Sequence, residues 1–174
     1  SEAQFSVAYG NNAGSGSLGQ NEDSPSNAIY SQYAQILLPG NQRQFTFNSV
    51  ASDSIYALNF NRARIKDRLD PGNFQLRLST LSGSAVANNV HTGSNVFVVE
   101  AGQVISLIDD SADTQQSATQ IGRAYNLVSG SINGGVHSPK TYYGRVYPEQ
   151  GVIILNGDTL DSDLDFNTVT GSNI

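Results

Sequence analysis

Short apolar stretches separated by turn-forming residues run through most of the chain, and this pattern restricts the folds open to it. Phe74-Gln75-Leu76-Arg77-Leu78 alternates apolar and polar residues, as does a strand with one buried face. Turn signals such as Pro39-Gly40-Asn41 and Asn133-Gly134-Gly135 separate neighbouring stretches. The predicted strands are Phe5–Tyr9, Ile29–Leu38, Gln44–Phe47, Ser54–Asn61, Phe74–Leu78, Val96–Val99, Val104–Ile108, Arg123–Val128, Tyr142–Tyr147 and Gly151–Leu155.

Helical patterns are few. Ile65 and Leu69 have the i, i+4 spacing of one or two helical turns, and a further turn is possible at Thr114–Gln120. The sequence therefore predicts an all-β fold: a single antiparallel β-sandwich or barrel-like domain with a flexible N-terminal arm and little helix.

The arm is predicted at residues 1–27 and the β-rich domain at residues 28–174. Residues 11–26 are rich in Gly, Ser and Asn, a composition typical of flexible linkers. Gly14-Ser15-Gly16-Ser17-Leu18-Gly19 matches GxGxxG, but no helical pattern follows to bind a pyrophosphate. We therefore do not interpret it as a dinucleotide site.

Composition excludes several classes of protein. The chain has no cysteine, which rules out disulfide scaffolds, Cys-ligated zinc and thiol catalysis. Serine, asparagine, glycine and threonine make up 65 of its 174 residues, and no apolar run is long enough to span a membrane. No signal peptide is visible, and the lack of an initial Met predicts a processed start or a portion of a longer protein.

Charge is low and unevenly distributed. The formal net charge is −6, which disfavours nucleic acid or an anionic membrane as the main partner. Residues 43–77 carry six basic and three acidic side chains, whereas residues 100–165 carry nine acidic and three basic ones. This asymmetry fits either a contact between subunits or an ordinary solvated surface.

A basic cluster is the first candidate interaction site. Its members are Arg62, Arg64, Lys66 and Arg68. On an extended strand they would all point to one side and form a ridge that binds an acidic subunit, an anionic glycan or phosphate. In a helix they would spread around the surface, and pairs such as Arg64 with Asp67 would neutralise part of the charge.

Acidic clusters are the second and third candidates. The sequence alternates carboxylates at Asp158, Asp161, Asp163 and Asp165, which suits either calcium or an exposed acidic connector, but no EF-hand pattern is present. Asp109, Asp110 and Asp113 allow a pair of glycosidase carboxylates, although turn chemistry after a strand explains them more simply. His91 and His137 lie in loops without a neighbouring metal-ligand pattern.

Tyrosine supplies the fourth candidate. Tyr142 and Tyr143 are adjacent, so on a strand their rings point to opposite faces. Tyrosines favour interfaces and cores because they bury a large area while keeping one hydrogen bond. We therefore predict Tyr142 and Tyr143 as interaction or core residues, in preference to a sugar platform.

Several segments resemble a recurrent structural protein of large tailed phages, especially T4-like myoviruses of marine and cyanobacterial hosts. The matching segments are Ala28–Tyr33, Asp53–Arg62, Lys66–Asn73, Leu107–Ser111, Tyr125–Ser131 and Tyr143–Leu155. They include no catalytic motif, so the resemblance transfers no functional residue.

The resemblance implies a virion structural protein, most directly of the tail or baseplate, that acts by protein–protein assembly. The implied partners are other virion proteins and copies of itself, with no membrane and no specific nucleic acid. Neither enzymatic activity nor a cofactor or metal is expected. Alternatives are a capsid decoration or neck protein, a host-glycan-binding β-sandwich, and a glycan hydrolase using Asp109, Asp113, Asp161 or Asp163.

Overall fold

Eight antiparallel strands form one curled sheet, a half-barrel, in the computed structural model. The structure describes residues 4–15, 24–65, 67–79, 104–113, 118–119 and 121–164. Strands dominate these residues, so the predicted all-β, barrel-like class is confirmed.

Twelve strands and three helices are present in the described residues. The strands are β1 (Phe5–Asn11), β2 (Phe45–Phe47), β3 (Val50–Ser52), β4 (Ser54–Phe60), β5 (Leu76–Ser79), β6 (Val104–Asp109), β7 (Ala118–Thr119), β8 (Gly122–Arg123), β9 (Tyr125–Ser131), β10 (Gly135–Val136), β11 (Tyr142–Tyr147) and β12 (Val152–Asn156). The helices are α1 (Pro25–Leu37), α2 (Arg62–Ile65) and α3 (Gly157–Leu164). Seven of the ten predicted strands match an observed strand within one or two residues at each end. The predicted Val96–Val99 strand lies outside the described residues.

The large sheet has the order β1-β4-β12-β11-β9-β6-β5, and β10 pairs with β9. β2 pairs with β3, and β7 with β8, in separate two-stranded sheets. Strand β1 pairs with β4 along its whole length, from Phe5 opposite Phe60 to Asn11 opposite Ser54. Strand β1 is therefore the edge of the large sheet in the part of the chain that the structure describes.

Helix α1 covers one face of the sheet. Its buried residues Tyr30, Ala34 and Leu37 recur at helical spacing and pack in one cluster with sheet residues such as Ile55 and Ile154. The helix lies so close to β1 that a Cβ on Gly10 would come 2.9 Å from the Tyr30 nitrogen. Glycine at this position lets the two backbones approach.

Helix α3 covers the opposite face. Leu160 is fully buried there in a cluster that includes Leu58, Leu127 and Ile153. Alternate residues of the central strands therefore supply both cores, which explains why β12 is buried at every position.

The predicted Ile29–Leu38 strand is wrong, because this segment forms most of α1. Ser24 caps the helix by accepting a hydrogen bond from the Asn27 N–H at 3.3 Å, and Pro25 begins it. The mixture of apolar and polar residues over these ten positions is compatible with either structure. The cap and the i, i+4, i+7 spacing of Tyr30, Ala34 and Leu37 decide for helix.

The structure also differs from the predicted N-terminal arm. Residues 5–11 belong to the large sheet, and the proposed boundary at residue 28 falls inside α1. Seven consecutive residue pairs with β4 and the contact with α1 hold this segment in place. Residues 16–23 of the predicted arm lie outside the described residues.

We expect Tyr30→Phe to lower the free energy of unfolding by about 1–3 kcal/mol. The buried Tyr30 hydroxyl donates to the Ser52 carbonyl at 2.7 Å and accepts from the Phe45 N–H at 2.9 Å, so its loss leaves both unpaired. Urea unfolding measures the change. The control Ser31→Ala, on the same helix, removes only a long 3.4 Å contact and should alter it by less than about 0.5 kcal/mol.

The same tyrosine makes stability sensitive to alkali. Burial raises the pKa of Tyr30 from 10.0 to about 12, so above pH 10 the unfolded chain releases this proton more readily than the folded chain. The free energy of unfolding should therefore fall between about pH 10 and pH 12, and the fall should be smaller in Tyr30→Phe. Equal slopes for the two proteins would contradict this role.

Candidate interaction surface

Strand β1 exposes two large apolar side chains at the edge of the sheet. Phe5 is 50% exposed and Val7 58% exposed, and both lie on the same face of the strand as Tyr9. The other exposed large apolar residues of the described part of the chain each lie on a different helix, strand or turn. They are Ile36, Val50, Val104 and Ile132. Among the described residues, only β1 brings two exposed large apolar side chains together on one strand.

In the described part of the chain, no strand pairs with the outer side of β1. The Asn61 N–H donates to the Gln4 carbonyl at 2.9 Å, and the Asn12 N–H donates to the Asp53 carbonyl at 2.8 Å. Gln4 and Asn12, which flank β1, therefore lie at hydrogen-bonded positions of the ladder with β4. Such pairs alternate along an antiparallel ladder, so the backbone groups of Phe5, Val7 and Tyr9 point away from β4. Within the described residues, β4 is the one strand paired with β1.

Nothing in the composition of β1 protects this edge. Natural edge strands commonly carry Lys, Pro or a bulge that prevents pairing. Residues 5–11 contain neither a charge nor a proline, and their register with β4 is regular. The strand is therefore suited to accept another strand.

The C-terminal end of β1 is closed by the following turn. The Asn11 side chain is buried and accepts hydrogen bonds from the N–H groups of Ala13 at 2.9 Å and Ser15 at 3.0 Å. Asn27 at the start of α1 donates to the Asn12 carbonyl at 2.5 Å. The accessible part is thus residues 5–9, which we call the open edge.

The predicted basic ridge does not form on an extended strand. Arg62 and Arg64 belong to helix α2, and Lys66 lies outside the described residues. Arg62 donates to the backbone carbonyls of Asp67 at 3.1 Å and Glu149 at 2.7 Å, so it fastens α2 to the turn before β12. The helical alternative therefore holds for Arg62 and Arg64.

Arg68 lies apart from α2, at a cavity of about 560 Å³. Arg123 also lines this cavity, but Asp70 and Glu149 line it too. The two positive charges are therefore balanced by two negative ones, and the cavity has no clear preference for an anion.

Tyr142 and Tyr143 point to opposite faces, as predicted. Tyr143 is buried on the α3 side, and Tyr142 is half-buried against the α1 side. The Tyr143 hydroxyl donates to Asp163 at 2.8 Å, and burial beside this carboxylate raises the pKa of Tyr143 to about 12. Both residues thus contribute to the cores of the chain, which leaves Tyr143 little surface for a partner.

The acidic segment predicted as a connector is helix α3, and its carboxylates bind the helix to the sheet. Asp158 accepts from the Asp53 N–H at 2.9 Å and the Ser54 hydroxyl at 2.6 Å. Asp161 accepts from the Tyr56 hydroxyl at 3.1 Å, and burial raises the pKa of Asp161 above its usual 3.8. Asp165 lies outside the described residues, among which no group of three or more His, Cys, Asp or Glu is placed to hold a metal.

Asp109 and Asp110 are buried and join loops to strands. Asp109 accepts from the Gly72 N–H at 2.8 Å, and Asp110 accepts from the Asn126 N–H at 2.9 Å. Asp113 forms an ion pair with Lys140 at 3.2 Å.

Two features of the structure were not predicted from the sequence. Helix α3 has a readable signal: Asn156 caps it by accepting from the Thr159 N–H at 3.3 Å, and Asp158 lies in its first turn. The edge position of β1 has no local signal, because strand order depends on contacts distant in sequence. His137 lies in the loop after β10, and His91 lies outside the described residues.

The comparisons with known proteins do not identify the chain. It matches no family model, no curated protein and no solved structure. Among the described residues, no helix is long and apolar enough to cross a membrane.

We expect Asp161→Asn to leave the free energy of unfolding unchanged or to raise it at neutral pH. The asparagine oxygen still accepts from Tyr56, while a partly buried charge is removed. The raised pKa of Asp161 means that its ionisation opposes folding. The difference in free energy of unfolding between the variant and the wild type should therefore grow as the pH rises above about 4.

Asp158→Asn is the matched control in the same helix. Both Asp158 oxygens accept hydrogen bonds, and an amide retains only one acceptor, so this variant should lose about 1 kcal/mol. Urea unfolding over a range of pH compares the two variants. Equal losses would contradict the distinct roles of the two carboxylates.

Proposed function

We propose that this chain is a structural protein of the virion of a large tailed phage, a tail or baseplate component that acts by protein–protein assembly. The observation that supports this function best is the open edge: residues 5–9 expose Phe5 and Val7 on one strand, and their outward backbone groups have no strand partner among the described residues. The resemblance of several segments to virion proteins of T4-like phages supplies the biological context.

A rigid support behind the edge favours an assembly role. Strand β1 is backed by β4 and then by β12, and the faces of this sheet are covered by α1 and α3. A partner strand would therefore bind an ordered template without the cost of ordering a flexible arm.

Strand addition suits repeated contacts in a particle. Backbone hydrogen bonds supply affinity, and side chains on alternate positions supply specificity. The interaction needs no charged partner, which agrees with the uncharged composition of β1. Other virion proteins and copies of this chain are the proposed partners.

The test is the protein content of purified particles of the phage that encodes the chain. Quantitative mass spectrometry should find the chain in a constant ratio to known tail proteins after nuclease treatment and high-salt washing. Separation of tails from heads then distinguishes a tail or baseplate component from a capsid decoration or neck protein. Absence from washed particles would overturn the proposed function.

A further inference from the structure

We propose that the open edge binds a second copy of this chain, with the two β1 strands antiparallel and Val7 on the two-fold axis. This inference rests on the proposed function and names the partner. It combines two observations: the outward backbone groups lie on Phe5, Val7 and Tyr9, and the intervening residues already pair with β4.

The register of the pairing follows from these positions. A two-fold axis through Val7 places Phe5 opposite Tyr9 of the second copy and Val7 opposite Val7. All three outward-facing residues then form hydrogen-bonded pairs, and each such pair exchanges two hydrogen bonds. A shift of the axis to Ser6 would pair only Phe5 with Val7 and would leave Tyr9 unmatched.

The side chains are compatible with the same register. Phe5, Val7 and Tyr9 project from one face, so each aromatic ring faces the other aromatic residue across the interface. Aromatic pairs and β-branched pairs are favourable cross-strand neighbours. The exposed Phe5 and Val7 surfaces would be covered together.

The charge of β1 favours a copy of itself over a charged partner. Residues 5–11 contain no ionisable group except Tyr9, so two copies bring no like charges together in the ladder. An acidic or basic strand would find no complementary charge there. The strand is thus complementary to a second copy of itself, as a two-fold contact requires.

A single-cysteine variant tests this register directly, because the chain contains no cysteine of its own. In Val7→Cys the two introduced residues would face each other with Cα atoms about 5.5 Å apart, inside the range of a disulfide. Mild oxidation should therefore give a covalent dimer on a non-reducing gel. Wild-type protein should sediment as a dimer.

Two controls have matched exposure or position. Val50→Cys replaces another exposed apolar residue, which is 66% exposed. Ser6→Cys lies on the same strand as Val7, but in the proposed register Ser6 is opposite Ala8 of the second copy. Neither should form the dimer at the rate of Val7→Cys. Comparable cross-linking of all three would show random collision and overturn the proposal.

Proline variants separate pairing from folding. Val7→Pro removes an outward N–H and should raise the dimer dissociation constant by about tenfold or more while β1 stays paired with β4. Ala8→Pro removes an inward N–H and should instead lower the stability of the fold. Unchanged sedimentation of a folded Val7→Pro protein would overturn the proposal.

The outcomes distinguish this inference from the proposed function. A monomeric wild-type protein that gives no Val7→Cys dimer rules out self-pairing, even if the chain is present in purified virions. A dimer with the expected cross-link supports self-pairing, even if the chain is absent from virions. Each result is read independently of the other.

Discussion

The antiparallel pairing of β1 with β4 determines both where α1 packs and which backbone groups form the open edge. It joins the N-terminal segment to the large sheet over seven residue pairs, and it provides the surface on which α1 packs through Gly10 and Tyr30. The alternation of this ladder also determines which backbone groups face outward. The open edge is therefore a direct consequence of the way in which the sheet is assembled.

Two different kinds of contact hold the helices to the sheet. Helix α1 is fixed by apolar packing and by the buried hydroxyl of Tyr30, which bonds the β2 and β3 hairpin. Helix α3 is fixed by Leu160 together with hydrogen bonds to Asp158 and Asp161. Asp158, Asp161 and Asp163, which suggested a cation site or an acidic connector in the sequence, therefore act as acceptors for sheet residues.

Much of the sheet could be predicted from the sequence, because alternation and turn residues are local. Tyr142–Tyr147 is a strand with the bounds predicted, and Tyr142 and Tyr143 point to opposite faces. The Ile29–Leu38 segment was misassigned because its apolar pattern also fits a helix. The predicted basic ridge likewise required the two-residue period of a strand. Arg62 instead lies in helix α2 and donates hydrogen bonds to carbonyls of its own chain. The order of strands, and hence the edge position of β1, depends on long-range pairing that no local pattern encodes.

Amide hydrogen exchange along β1 tests the open edge residue by residue. In dilute monomer, the N–H groups of Ser6, Ala8 and Gly10 should be protected by β4, while those of Phe5, Val7 and Tyr9 should exchange rapidly. At concentrations that favour the dimer, the second set should become protected as well. Equal protection of both sets in the dilute protein would show that the edge is already covered, and would contradict the proposal that residues 5–9 form an open edge.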